Sequence, residues 1–340
     1  MADPILKVRR LSKVFEMRSG LPFRRRVRRV EALRQVDFDL SPGETLAIVG
    51  ESGSGKSTLA RTLMLLETPS AGTARFDGHD IFGLDAGRRQ ALRREMQMVF
   101  QDPWSSLNPR RTIFDTISEA WIVHPGLVDP GQFRQRVAEV LDTVGLDRAA
   151  LDKYPNEFSG GQRQRIAIAR ALALNPSVLI LDEAVSALDV SIQAQILNLL
   201  AQIQKEREIA CLFISHDLAV VRHVADRVGV MYLGAFVELA PTGRIFDAPQ
   251  HPYTRALLSA MPDDESSGPS QRIVLQGEIP DPSDPPSGCS FRTRCWRAQP
   301  PCTTTAPELR EAGNDAHKVA CHFPGEQETP QVGAGNHDGG

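Results

Sequence analysis

The run Thr45-Leu46-Ala47-Ile48-Val49-Gly50-Glu51-Ser52-Gly53-Ser54-Gly55-Lys56-Ser57-Thr58 decides the reading of the chain. Thr45 to Val49 reads as a strand buried on both faces. Gly50 to Ser57 fits the phosphate-loop pattern G-x-x-x-x-G-K-[ST] without a mismatch, and sits where that pattern must sit, after an apolar strand and before a helix. Glycines let the backbone wrap around phosphate oxygens with successive amides pointing inward. A helix beginning near Lys56 adds the positive end of its dipole. Lys56 then reaches the β and γ phosphates and the Ser57 hydroxyl ligates magnesium. The expected nucleotide contacts here are Gly50, Ser52, Gly53, Ser54, Gly55, Lys56, Ser57 and Thr58.

Working outward, Val178 to Leu181 is a second apolar strand, followed at once by Asp182 and Glu183. An acid at the end of a strand beside a phosphate loop can hold magnesium, and a second carboxylate one residue on can polarise the attacking water. Ile192, Ile196, Leu199, Leu200 and Ile203 fall at helical spacing, and Ile209 to Ile214 forms a third apolar strand. Strands alternating with helices imply an α/β fold with a parallel sheet covered on both faces. Residues 4–49 read as strands and turns, and residues 102–158 as a small helical insertion broken by Pro125, Pro130 and Pro155. The chemistry expected is hydrolysis of ATP or GTP.

The composition of the 340 residues, 41% apolar and 24% charged, is that of a folded globular chain and excludes overall disorder. The net charge of −3 gives no support to a general nucleic-acid binder. No apolar run approaches the roughly 20 residues of a membrane span, and no secretory signal precedes the first strand. Six arginines between Arg18 and Arg29 (18, 24, 25, 26, 28 and 29) form a solvated hairpin loop, or else contact acidic headgroups or a partner. After Met261 the composition shifts: the final 79 residues hold 11 of 24 prolines. Residues 262–270 read as a linker and 324–340 as a disordered tail. Between them, Cys289, Cys295, Cys302 and Cys321 fall within 33 residues. An odd total of five cysteines in a reducing compartment speaks against disulfides and for a clustered metal site, and four thiolates suit either zinc or an iron–sulfur cluster.

At Phe158-Ser159-Gly160-Gly161-Gln162 the chain resembles the signature motif of ABC-type ATPases. Gln101 in Val99-Phe100-Gln101-Asp102 looks like that family's Q-loop glutamine, Ser186-Ala187-Leu188-Asp189 like its D-loop, and His216 in Ile214-Ser215-His216-Asp217 like its switch histidine. Ser105-Ser106-Leu107-Asn108-Pro109-Arg110, His251-Pro252-Tyr253-Thr254 and the spaced cysteines narrow the resemblance to ATPase subunits of dipeptide and oligopeptide importers, nearest their F-type subunits. Two departures stand out: Ala184 where the family has proline after the catalytic glutamate, and Phe158 where it has leucine. Neither touches a phosphate or magnesium contact.

The resemblance implies a RecA-like ABC nucleotide-binding domain over residues 1–262, with antiparallel N-terminal strands and a helical subdomain near 102–158. A small cysteine-rich extension follows over 263–323. It implies that Glu183 is the general base, that His216 contacts the γ-phosphate, and that Gln101 senses magnesium alongside Ser57 and Asp182. Phe15 would stack on adenine, while Ser159, Gly160, Gly161, Gln162 and Asp189 would act on nucleotide held by a facing subunit. The cofactors implied are ATP, Mg2+ and a [4Fe–4S] cluster on Cys289, Cys295, Cys302 and Cys321, with zinc as the alternative. The partners implied are a second, related ATPase subunit, two permease subunits and an extracytoplasmic peptide-binding protein, with the chain peripheral on the cytoplasmic face of the membrane. Competing readings are importers of nickel or glutathione, and a non-transport ABC ATPase working on DNA or ribosomes.

Overall fold

The computed structural model describes residues 3–19, 26–102, 106–186, 188–261, 272–313 and 316–325. The 262–270 linker, the tail beyond Gly325, Ser105, Ala187, Arg24 and Arg25 lie outside the described residues, as do the side chains of Arg18 and Arg26. In chain order the strands are β1 (Leu6–Ser19), β2 (Arg26–Leu40), β3 (Thr45–Val49), β4 (Ala71–Phe76), β5 (His79–Asp80), β6 (Met96–Val99), β7 (Val178–Asp182), β8 (Ala210–Ile214), β9 (Arg227–Tyr232), β10 (Ala235–Pro241), β11 (Arg310–Glu311) and β12 (Lys318–Val319). The helices are α1 (Lys56–Leu63), α2 (Ala86–Glu95), α3 (Ile113–Val123), α4 (Phe133–Thr143), α5 (Gly160–Leu172), α6 (Val190–Arg207), α7 (Leu218–Val224), α8 (Thr242–Asp247), α9 (Pro252–Ser259) and α10 (Pro301–Thr304).

The central strands are apolar at nearly every position because both of their faces are covered. Successive side chains of a strand point to opposite faces. Leu46 and Ile48 of β3, Ile180 of β7 and Leu212 of β8 therefore enter one apolar layer with Leu6, Val8, Phe38 and Leu59. Their neighbours Ala47, Val49, Leu179, Leu181, Cys211 and Phe213 enter the other, with Ile117, Leu141, Ile166 and Ile196 from the helices. Strands β6, β7, β8, β3 and β9 run side by side and parallel in that order. β10 then joins β9 antiparallel. A second sheet, β2-β1-β4-β5, is antiparallel throughout and lies on the first apolar layer. No helix of the described residues is long and apolar enough to cross a membrane.

The C-terminal segment is built into this frame. β12 pairs antiparallel with β10, placing Val319 opposite Glu238, and β11 pairs with β12. Phe291 is 1% exposed, with its ring centroid 5.3 Å from those of both Tyr232 and Tyr253 and 5.6 Å from that of His251. His317 Nε2 lies 2.6 Å from Oε1 of the fully buried Glu238. Of the basic hairpin, Arg28 pairs with Asp281 of this same segment and Arg29 lies 3.1 Å from Glu16.

Phe291 is thus the apolar anchor of the segment. Phe291→Ala is expected to cost about 3–5 kcal/mol, the usual range for emptying a phenylalanine site. Thermal unfolding of the purified chain checks this, and a melting temperature equal to wild type would show that the segment is held elsewhere.

Candidate active site

The functional groups converge because β3, β8 and β7 end side by side. β3 runs into the phosphate loop, β7 ends at Asp182 and Glu183, and β8 leads to His216. The loop needs its glycines. Gly55 caps α1 at φ 106°, and a Cβ there would lie 2.4 Å from the Ala32 carbonyl oxygen of β2. The Gly234 amide, in the β9–β10 turn, donates to the Ser54 carbonyl at 2.9 Å and fixes the loop from its other side. The first turn of α1 leaves amides without intrahelical partners, which suits an anion.

Lys56 is 4% exposed, and its Nζ donates to the carbonyl oxygens of Gly50 (2.8 Å) and Glu51 (2.9 Å). Burial pulls its pKa below the ordinary lysine value, against the raising influence of Glu183, Asp182 and Glu51. Ser57 Oγ donates to Asp182 Oδ1 at 3.0 Å. Burial pushes the Asp182 carboxyl above the usual carboxylate range, and the neighbouring Glu183 charge adds to that, while the Ser57 hydrogen bond opposes it. A buried carboxylate beside a hydroxyl is a hard-oxygen pair of the kind magnesium takes. These residues fit the ion.

Glu183 sits at φ 49°, a left-handed backbone that costs a non-glycine residue energy and is characteristic of functional positions. Its amide donates to the Ile214 carbonyl of β8 at 3.0 Å, which holds it in that conformation. Its Oε2 accepts from Gln101 Nε2 at 2.8 Å and lies 3.4 Å from His216 Nδ1. The three catalytic candidates named from sequence are therefore in contact.

The signature residues open α5. Ser159 caps the helix and forms a reciprocal capping box with Gln162. Ser159, Gly160 and Gln162 are exposed, while Gly161 is buried so tightly that a Cβ would lie 2.4 Å from Ile192 Cγ2 of α6. Asp189 occupies the N-cap position of α6, exposed and without a side-chain capping bond. Phe15 pairs with Val30 across the β1–β2 hairpin, two residues from Ala32, and the Lys13 ammonium sits 4.6 Å from its ring centroid. Two side chains missed by the sequence reading also reach the loop: Tyr253, whose hydroxyl accepts from the Glu51 amide at 2.9 Å, and Arg294, which grips the Glu51 carboxylate. Both lie over 200 residues from Glu51, and no local pattern announces the contact.

The expected metal centre on Cys289, Cys295, Cys302 and Cys321 does not stand. Among the described residues no group of three or more His, Cys, Asp or Glu side chains is arranged to hold a metal ion, which removes both the [4Fe–4S] cluster and its zinc alternative. All four are free thiols. Burial pushes the Cys289, Cys295 and Cys321 thiols up, Cys295 to about 11. The two histidines near them are engaged elsewhere: His317 with Glu238 and His322 Nε2 with the Thr305 carbonyl at 2.8 Å. The staple that a proline-rich segment needs is supplied by Phe291 and by strand pairing instead.

A parallel sheet ending in this loop, these two carboxylates and this histidine defines a phosphate-loop nucleotide hydrolase. Comparison with known proteins takes the assignment further. The family described as "ABC transporter" matches residues 33–186, and that described as "Oligopeptide/dipeptide transporter, C-terminal region" matches residues 237–302. The Oligopeptide transport ATP-binding protein AppF of Bacillus subtilis (strain 168) is 51% identical over 324 residues, covering 94% of this chain and 98% of its own. The Di/tripeptide transport ATP-binding protein DppF of Pseudomonas aeruginosa (strain UCBPP-PA14) is 48% identical over 94% of this chain and 98% of its own. The dimeric structure of MJ0796, a bacterial ABC transporter cassette, superposes with a TM-score of 0.61 at 28% identity, over 70% of this chain and 98% of that one. The chain belongs to the ABC transporter family, among its oligopeptide and dipeptide ATP-binding subunits.

The raised Asp182 carboxyl has a consequence for the nucleotide-free protein. A carboxyl whose folded pKa lies above its unfolded value contributes stability that is complete at low pH and lost as pH rises through the folded value. Wild type should therefore lose melting temperature relative to Asp182→Asn on going from strongly acid pH towards neutrality, and Asp182→Asn should bind Mg-ATP poorly. Melting curves of both proteins across that range, without nucleotide, check the sign. A difference that does not vary with pH would refute the burial account.

Proposed function

We infer that this chain is the ATP-hydrolysing subunit of an ABC importer for dipeptides or short peptides. The observation that carries the chemistry is the shared grip of Gln101 and His216 on Glu183 Oε2, next to the Ser57–Asp182 pair. The cargo class follows the printed names of AppF and DppF.

ATP phosphates enter the loop, and Lys56 exchanges the carbonyls of Gly50 and Glu51 for β and γ oxygens. An ammonium already stripped of water gains more from incoming phosphate charge than a solvated one does. Magnesium, held through Ser57, Asp182 and Gln101, supplies neutralisation of the phosphate charge when bound. Glu183, oriented by Gln101 and His216, accepts the proton of the water that attacks the γ-phosphorus, and His216 donates a hydrogen bond to the γ-phosphoryl oxygens. Phe15 is the adenine-stacking candidate.

Ser159, Gly160, Gly161, Gln162 and Asp189 complete the site of a facing subunit. The exposed start of α5 and the dimeric state in which MJ0796 was solved support this. The facing subunit is a second, related ATPase. Closure around nucleotide is relayed through residues 102–158, where Ile122, Val123, Leu127 and Tyr154 stand exposed, to two permease subunits fed by a peptide-binding protein. The chain then lies peripherally on the cytoplasmic face of the membrane. The domain division is 1–262, 263–323 and a tail.

In the assembled transporter, Glu183→Gln should lower turnover by about 10²- to 10⁴-fold while ATP binding persists and the closed dimer accumulates. Near-normal hydrolysis would remove Glu183 from the role. For the composite site, mixing Lys56→Ala and Ser159→Arg chains should restore no activity if the partner is a different subunit. Recovery of activity on mixing would mean that this chain pairs with itself.

A further inference from the structure

Glu51 puts an acid inside a loop built to receive anions, and every polar group it owns is committed. Its amide donates to Tyr253 Oη at 2.9 Å, and its carbonyl accepts from Lys56 Nζ at 2.9 Å. Its carboxylate is held by both terminal nitrogens of Arg294, at 2.7 Å from Nη1 and 3.1 Å from Nη2. Such a two-pronged guanidinium–carboxylate pair fixes direction as well as charge. The Arg294 side chain is 8% exposed and that of Glu51 26%, so water screens the pair little.

Arg294 is itself fixed. Three residues away on the chain, Phe291 packs against both Tyr232 and Tyr253. Tyr253 is fixed too: its amide donates to the Nδ1 of buried His251 at 3.1 Å, and the His251 amide donates to Glu238 Oε2 at 3.0 Å. Burial pulls His251 down to about 4, so its ring stays neutral and Nδ1 stays an acceptor. Glu238 in turn meets His317 of the C-terminal segment. That segment therefore reaches the phosphate loop by two routes, and both end on Glu51.

We propose that Arg294 is a positioning residue for nucleotide binding: carried by the C-terminal segment, it neutralises Glu51 and orients the loop so that the phosphates of ATP can enter. Without Arg294 the Glu51 carboxylate would stand uncompensated beside the incoming polyphosphate, and the carbonyl that parks Lys56 would lose its bearing. The C-terminal segment then has a role in ATP affinity, and a partner or modification that shifts it would reach the loop through this pair. The inference rests on the nucleotide reading above.

The test is steady-state ATP hydrolysis and ATP binding by the assembled transporter carrying Arg294→Met, Arg294→Lys, Glu51→Gln, or Arg294→Met with Glu51→Gln. Arg294→Met should raise KM and Kd for ATP about ten-fold, a size usual for coupling between sites, with kcat within about two-fold of wild type. Arg294→Lys keeps the charge and loses the fork, so it should fall between the two. Glu51→Gln added to Arg294→Met should recover most of the lost affinity, because the uncompensated charge is gone. If Arg294→Met does not fold, Glu51→Gln and Arg294→Lys carry the test: near-wild-type affinity in the first and reduced affinity in the second are the expected pair. Wild-type affinity in all Arg294 variants, or a fall in kcat at unchanged KM, overturns the clasp alone. A wild-type transporter that binds no ATP overturns the nucleotide reading and the clasp with it.

Discussion

The alignment of three parallel strands, β3, β8 and β7, is the constraint on which the rest depends. Their pairing register places the phosphate loop, His216 and the paired acids at one end of the sheet, where each strand stops. The alignment survives because both faces of those strands are buried, so a slip of one residue would exchange the contents of two different apolar layers. The left-handed backbone at Glu183 is tolerated for the same reason, since its amide is bonded to β8.

At that end of the sheet charge is arranged in opposed pairs. Burial disfavours the charged form of Lys56 and of Asp182 alike, so the loop brings together an ammonium and a carboxyl that are both short of solvent. In the mechanism proposed above, polyphosphate and its magnesium satisfy the two together. Stability and readiness to bind thus pull in opposite directions here, as is usual where a site is preorganised for charge.

Much of this was legible in the sequence, for identifiable reasons. The phosphate loop is local, needs glycines at fixed spacing and announces its own context, so Gly50 to Ser57 could be read directly. The buried strands were visible as unbroken apolar runs. The link between Glu183, Gln101 and His216 came only from resemblance, because those residues are distant in the chain and meet through sheet order. The C-terminal cysteines are where the sequence misleads. Four clustered cysteines look like ligands, but among the described residues they form no group arranged to hold a metal ion, and what holds the segment is Phe291 packed on Tyr232 and Tyr253. Contacts such as Arg294 with Glu51 leave no periodicity or spacing in the sequence, since a single charge pair depends on the finished fold.

The central claim is that this end of the sheet converts ATP hydrolysis into peptide uptake. Reconstitution of the chain with its membrane subunits in sealed vesicles, supplied with binding protein and labelled dipeptide, measures that directly. The account predicts ATP hydrolysis stimulated by liganded binding protein, with peptide accumulating in step and both lost in Lys56→Ala. Hydrolysis indifferent to peptide and unaccompanied by any accumulation would contradict it.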